Sequence, residues 1–280
     1  MFVSDSLIFV ELHKTAGSHI GRCLNKILTG EQVGKHNVVP PELQNRFILG
    51  SIRNPWDWYV SLWGYGCDRK GSAFSQTTRR YSVDYYWRQL NKEMGKNWLS
   101  PAQYARQMLA DTTKPVALWN EVYADSGNPE LFRQWLRLML DGKRRFDIGE
   151  GYGFSPLAAH SGVLTYRYFK LFTNLGTQLY SLPDLANSSS LNDVWKQYGI
   201  TNFVVRNEHL EADLIDALTS ANIPLSDEQR LFILQGKNEK TNTSSRKSMD
   251  FYYDEESIAL VKNKEDFIIS RYGYTAPNIA

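Results

Sequence analysis

Two clusters of residues in this sequence have the types and spacing to hold phosphate. The first is His13-Lys14-Thr15-Ala16-Gly17-Ser18, set between the apolar run Leu7-Ile8-Phe9-Val10 and an amphipathic stretch. Small residues let a chain bend tightly between a buried strand and a helix. The bend leaves the amide N–H groups from Thr15 to Ser18 pointing outward at the positive end of the helix dipole, which is an anion cradle. Lys14 adds a full charge beside it, and the hydroxyls of Thr15 and Ser18 can donate to phosphate oxygens. The second cluster is Arg53-Asn54-Pro55, at the carboxyl end of another apolar run, with Ser61 eight residues beyond the arginine. A guanidinium and a hydroxyl converging from those places can hold a second phosphate, near the first if the two strands are neighbours.

A nucleoside-triphosphate loop of the Walker type does not fit these residues. That motif needs Gly-x-x-x-x-Gly-Lys-Ser/Thr, whereas here Lys14 precedes Gly17 and no glycine opens the loop. No strand carries a convincing Walker B aspartate either. A surface lysine beside a helix cap is the alternative reading of the first cluster taken alone.

The elements that must position these clusters follow from periodicity. Leu7–Val10 reads as a short strand buried on both faces. Ile20, Cys23, Leu24, Ile27 and Leu28 fall on one stripe, so residues from Ser18 to Leu28 read as a helix. Arg46–Ile52 is a second buried strand, and Asn54 and Pro55 suit the cap and first position of a helix burying Trp56, Tyr59, Val60 and Trp63. Alternation of this kind argues for an α/β chain with a parallel sheet covered by helices. From about Cys67 to Gly162 strand signals fade, with helix starts at Ser100-Pro101 and Pro129-Glu130, the latter helix closed by Gly142. This stretch reads as an α-helical insertion. Leu164–Phe172 is expected as a strand, Thr201–Arg206 as another, and Glu208–Ser220 as a helix. Ser226 with Gln229 forms a capping-box signature, Gly236–Ser248 has the composition of a loop, and a last helix is expected from Asp254 to Ser270.

Composition limits what the chain can do. At 280 residues with a net charge of +2, it suits one domain, residues 1–280, with the insertion at about 67–162, and offers no general attraction to nucleic acid or anionic lipid. Two cysteines, Cys23 and Cys67, are too few for a disulfide framework, and no Cys/His spacing resembles a zinc site. The N-terminal apolar run is broken by Glu11, and no stretch approaches the roughly 20 apolar residues of a membrane span. A cytoplasmic, unprocessed protein with no metal is the expectation; the oligomeric state is not encoded legibly.

Read together, "HKTAGS" and, about forty residues later, "IRNPWDWYVSLW" resemble the two nucleotide-binding signatures of the sulfotransferases that use 3′-phosphoadenosine 5′-phosphosulfate (PAPS), closest in style to the carbohydrate type. "FVVRNEHLEADL" is similar to that family's late strand and helix, and "NTSSRKSMDFYYDEE" to its nucleotide-closing loop. The resemblance implies a three-layer, P-loop-like parallel sheet and O-sulfation of a hydroxyl acceptor, whether carbohydrate, lipid or small molecule, without a metal. It implies that Thr15, Ala16, Gly17 and Ser18 bind the 5′-phosphate, with Lys14 at the bridging oxygen that becomes the leaving group. Arg53 and Ser61 would hold the 3′-phosphate, with Arg246 and Ser244 or Ser245 as a second clamp. Ala16 stands where many members have glycine, and is expected at negative φ. Glu208 matches a recurrent acidic position that orients the fold.

His36, in "GKHNVVPPEL", resembles the histidine that serves some carbohydrate sulfotransferases as general base, and a loop histidine without a role is the other reading. His13 and His19 are rivals, better read as packing or helix-start residues; Glu11 reads as a buried or strand-end charge, and His160 has only its place in the insertion to recommend it. The insertion's Trp87, Trp98, Trp119 and Trp135 either stack on an acceptor or, more in keeping with helical spacing, form core. Two readings from other classes stay open: an ATP-dependent P-loop-like kinase, and a non-catalytic nucleotide- or anion-binding module.

Overall fold

The computed structural model describes residues 1–93, 99–236 and 246–279. It has an α/β architecture in which, among the described residues, five strands form a mixed sheet flanked by helices. The strands are β1 (Phe2–Ser4), β2 (Leu7–Phe9), β3 (Gly30–Gln32), β4 (Phe47–Ile52) and β5 (Phe203–Arg206), in the order β3-β1-β2-β4-β5. The helices are α1 (Gly17–Ile27), α2 (Pro55–Cys67), α3 (Ser72–Thr77), α4 (Val83–Glu93), α5 (Pro101–Thr112), α6 (Val116–Glu121) and α7 (Pro129–Leu140). They continue with α8 (Val163–Phe172), α9 (Leu191–Tyr198), α10 (Leu210–Ser220), α11 (Asp227–Gln235), α12 (Glu255–Lys264) and α13 (Asp266–Tyr272).

The chain divides into two compact units. The first comprises Met1–Asn54, Arg167–Asn174 and Trp195–Thr243, and holds the sheet. The second comprises Pro55–Tyr166, Leu175–Val194 and Ser244–Ala280. The helical stretch expected at about 67–162 falls within this second unit.

In the first unit β2 pairs parallel with β4, in the register Leu7↔Phe47 and Phe9↔Leu49, and β4 pairs parallel with β5, from Leu49↔Phe203 to Ile52↔Arg206. The carboxyl ends of these three strands therefore lie along one edge. The expectation of a wholly parallel sheet is corrected by β1 and β3. The first of these is antiparallel to both of its neighbours, β2 and β3. Three-residue strands are too short to show periodicity, and β3 is exposed at every position, so neither left a hydrophobic signal. The core of this unit gathers Phe2, Leu7 and Phe9 from the sheet, Ile20, Cys23 and Leu24 from α1, and Leu214, Leu218 and Ile233 from α10 and α11. Gly50 is required where it stands, because a Cβ there would come within 2.8 Å of the Phe172 ring. Both cysteines are free, and burial pushes their thiols up, Cys23 to about 11 and Cys67 to about 12.

The second unit is helical, with an aromatic core. Trp63 packs edge to face on Phe132 at 5.4 Å and on Tyr252 at 5.6 Å, while its indole N–H donates to the Val122 carbonyl at 2.8 Å. Trp119 and Trp135 are fully buried, as core aromatics are, whereas Trp87 is exposed on α4; Trp98 lies outside the described residues. Two elements differ from expectation. Leu164–Phe172, expected as a strand, belongs to the helix α8. An apolar run buried nearly all round has no periodicity to separate strand from helix, and distant contacts decide. The single helix expected from Asp254 to Ser270 is two helices, α12 and α13, broken at Glu265.

One residue stands at both places. Glu265 is fully buried and turns its carboxylate onto the first turn of α8. It accepts from the Leu164 N–H at 3.2 Å, the Thr165 N–H at 2.8 Å, the Thr165 hydroxyl at 2.6 Å, and the Tyr59 hydroxyl. It therefore caps a remote helix N-terminus. A Cβ at Gly162 would clash with this carboxylate and with Tyr59 Oη, so only glycine fits beneath the cap. Burial pushes the Glu265 carboxyl up to about 7, although the four donors pull it down. Burial also raises the Tyr59 hydroxyl well above its usual range.

Candidate functional site

The first unit builds its candidate site where β2 and β4 end, for a reason set by topology: loops that follow neighbouring parallel strands emerge at one edge of the sheet. The loop after β2 carries Lys14, and the one after β4 carries Arg53. The Arg53 guanidinium reaches the Lys14 carbonyl, Nη1 to O at 3.4 Å. The two cationic residues separated by about forty positions in sequence thus share one corner. Glu208, beyond the end of β5, accepts the Asn54 backbone N–H at 2.7 Å, so it fixes the chain where it leaves Arg53. Arg206 is held in turn by Asp213 through Nε and Nη2, each at 2.8 Å.

The backbone of the first loop is strained. Lys14 has φ 61° and Ala16 φ 63°, whereas Thr15 between them is not left-handed. The expectation of negative φ at Ala16 is thereby corrected: the residue occupies the region its missing glycine would favour, at a cost of about 1–2 kcal/mol. Left-handed residues on both sides of Thr15 bend the chain just ahead of α1. Ala16 is also the N-cap of α1, whose first turn has no side-chain cap and no acidic residue. The Gly17 and Ser18 N–H groups consequently have no acceptor within the helix. Ser18 is exposed.

The Thr15 side chain is engaged within the fold. Fully buried, its hydroxyl donates to the Leu12 carbonyl at 2.8 Å and pairs with Ser51 Oγ at 2.7 Å. Its one proton is spent inside the fold, so the hydroxyl ties the loop to β4 and the amides are what the loop presents. Ser51 is the partner that sequence reasoning overlooked; its signal was a lone hydroxyl within the apolar strand "FILGSI".

His36 stands in the loop between β3 and β4, and its Nδ1 lies 2.9 Å from the Glu11 carbonyl. Its ring stacks on His13, with centroids 3.5 Å apart and planes at 13°. The candidate base is thereby placed against the residue that precedes Lys14. A cleft of about 420 Å³ opens along α1, lined by Gly17, Ser18 and Arg22 on the helix and by Glu11 and Lys35. Glu11 is buried and accepts from Gln32 Nε2 at 3.1 Å. Its stem lies under Gly17, where a Cβ would sit 3.2 Å from Glu11 Cγ. His19 packs on α1, with its ring 3.2 Å from Arg22 Nη2 and 3.6 Å from Cys23 Sγ.

The second unit carries other residues of the expected set. Asp57, Ser61 and Gly64 share a face of α2 by their spacing. Arg246 runs along that face, Nη1 donating to Asp57 Oδ1 at 2.5 Å and Cβ lying 4.0 Å from the position of a Cβ at Gly64. Arg246 therefore lies along the α2 face that carries Ser61; Ser61 is buried and the arginine holds a carboxylate. Ser244 and Ser245 lie outside the described residues. His160 has both ring nitrogens engaged, with the Leu185 carbonyl at 2.9 Å and Ser161 Oγ at 3.0 Å, which makes it a structural histidine.

Among the described residues no cluster of His, Cys, Asp or Glu could hold a metal ion, and no helix is long and apolar enough to cross a membrane. Comparison with protein families, with characterised proteins and with solved structures finds no match to this chain.

Proposed function

We propose that this protein is a sulfotransferase that moves the sulfuryl group of PAPS to a hydroxyl acceptor by in-line displacement. The observation that carries the reading is the convergence of Lys14 and Arg53 at the carboxyl edge of parallel strands, beside the uncapped first turn of α1. Two cationic residues and a set of unfilled amides suit a ligand with two separated anionic groups. The amides of Gly17 and Ser18, with the Ser18 hydroxyl, take the 5′-phosphate, and Arg53 takes the 3′-phosphate. For Ser61 and Arg246, and for the P-loop-like three-layer class of the sheet, the motif resemblance alone is the support.

In the transfer, the acceptor oxygen forms a bond to sulfur as the bond from sulfur to the bridging phosphate oxygen breaks. The electron pair stays on that oxygen, and the Lys14 ammonium stabilises the charge as it develops. His36 takes the acceptor proton, with its Nδ1 against the Glu11 carbonyl setting the ring so that Nε2 is the basic nitrogen.

Thermal shift with 3′,5′-phosphoadenosine, ATP, and ATP with magnesium tests the reading. A ligand at about 100 times its Kd stabilises the fold by roughly 2.7 kcal/mol. The bisphosphate is expected to give the largest shift, followed by transfer of labelled sulfate to one of a panel of hydroxyl acceptors. A preference for ATP with magnesium would replace this reading with a kinase. Silence toward all three nucleotides would leave a non-catalytic anion-binding module.

A further inference from the structure

A second cleft, of about 440 Å³, lies within the second unit and is lined by none of the residues assigned above. It is lined by residues of the first two turns of α5, among them Arg106, by Arg145, and by the segment from Gly153 to Ala159. The apolar surface comes from Phe154, Pro156, Ala102 and Ala159.

The arrangement of charge in this cleft has no internal explanation. Both guanidiniums are placed by one ring: Arg106 Cζ lies 4.9 Å and Arg145 Cζ 5.1 Å from the centroid of Phe146. Phe146 is itself fixed, packed edge to face on Phe154 at 5.1 Å and pressed against Gly153, where a Cβ would approach to 2.5 Å. Among the described residues neither arginine forms an ion pair, and Arg145 Nε is buried without a hydrogen-bond partner. The nearby carboxylate, Asp147, is occupied by the Trp119 indole at 3.0 Å and by Arg144 at 3.9 Å. The α5 N-terminus is closed by its own capping box, Ser100 with Gln103, so an anion in the cleft is left to the two arginines. A pair of guanidiniums pre-positioned on an aromatic ring, beside an apolar floor, suits an anion.

We infer that this cleft binds an organic anion with a flat apolar body, its carboxylate or sulfate meeting Arg106 and Arg145 and its ring lying on Phe154 and Pro156. A few convergent polar groups over an apolar floor is the usual composition of a small-molecule site. The inference goes beyond the nucleotide reading and does not depend on it.

Calorimetric titration of the full chain with 2-naphthoate, 2-naphthyl sulfate and neutral 2-naphthol tests it. Both anions are expected to bind, and the neutral alcohol at least tenfold more weakly. Arg106→Gln and Arg145→Gln should each weaken binding of 2-naphthoate tenfold or more, and Arg145→Lys should fall between, keeping the charge and losing the planar fork. Lys14→Ala should leave this binding unchanged. Arg106 is exposed, so Arg106→Gln and Arg106→Glu read the site even if Arg145→Gln fails to fold. Absence of binding by both anions would overturn the inference, as would naphthol binding equally well, wild-type affinity in Arg106→Glu, or loss of the anion in Lys14→Ala.

Discussion

The pH dependence of stability should carry a signature of Glu265. Its carboxyl is raised from 4.5 to about 7, chiefly because burial disfavours the charged form. A group that holds its proton more tightly in the folded chain than in the unfolded chain stabilises the fold most when the proton is on. The contribution is fully present below the unfolded value of 4.5 and is lost as pH rises through about 7. At about 1.36 kcal/mol per pH unit, the difference corresponds to roughly 3 kcal/mol across that window. Glu265→Gln removes the titration and leaves a side chain of nearly the same shape, although its amide then faces the Thr165 donors, so a pH-independent loss of about 1–3 kcal/mol accompanies it. Denaturant unfolding of both proteins, followed by tryptophan fluorescence between pH 4.5 and 8.5, isolates the effect. The wild-type advantage should be greatest near pH 4.5 and shrink by roughly 3 kcal/mol toward pH 8. Tyr59→Phe removes a donor that lowers the Glu265 value, and should move the window to still higher pH. A stability difference that stayed flat across the range would refute the argument that this carboxylate is buried at a net cost.

The remaining predictions concern the corner at Lys14. Lys14→Ala should keep the thermal response to 3′,5′-phosphoadenosine and lower kcat for sulfate transfer by about 10²–10³; a change confined to KM would mean the ammonium stabilises ground and transition states alike. His36→Ala should lose turnover and retain nucleotide binding, and retained turnover would remove it from the mechanism. Ala16→Gly relieves a left-handed alanine at the cost of added freedom in the unfolded chain, and should stabilise the protein by about 0.5–1 kcal/mol in denaturant unfolding. Destabilisation would show that the loop does not hold φ near 63°.

The features legible in the chain alone are local. The stripe of Ile20, Cys23 and Leu24 made α1, the buried runs at Leu7 and Phe47 made β2 and β4, Ser100-Pro101 opened α5, and Ser226 with Gln229 made a capping box, because each signal is complete within one element. The order of strand, bend and helix was also enough to place Lys14 and Arg53 at strand ends. Tertiary structure decided whatever depends on a partner distant in the chain. Thr15 offers its hydroxyl inward because Ser51 lies 2.7 Å away on β4, and His36 meets the corner through His13. The first turn of the helix from Val163 to Phe172 is capped by a glutamate about a hundred residues later, which no local pattern could announce. Periodicity reports which face of an element is buried; only the folded chain sets which side chain it is buried against, and with that the state of each charge.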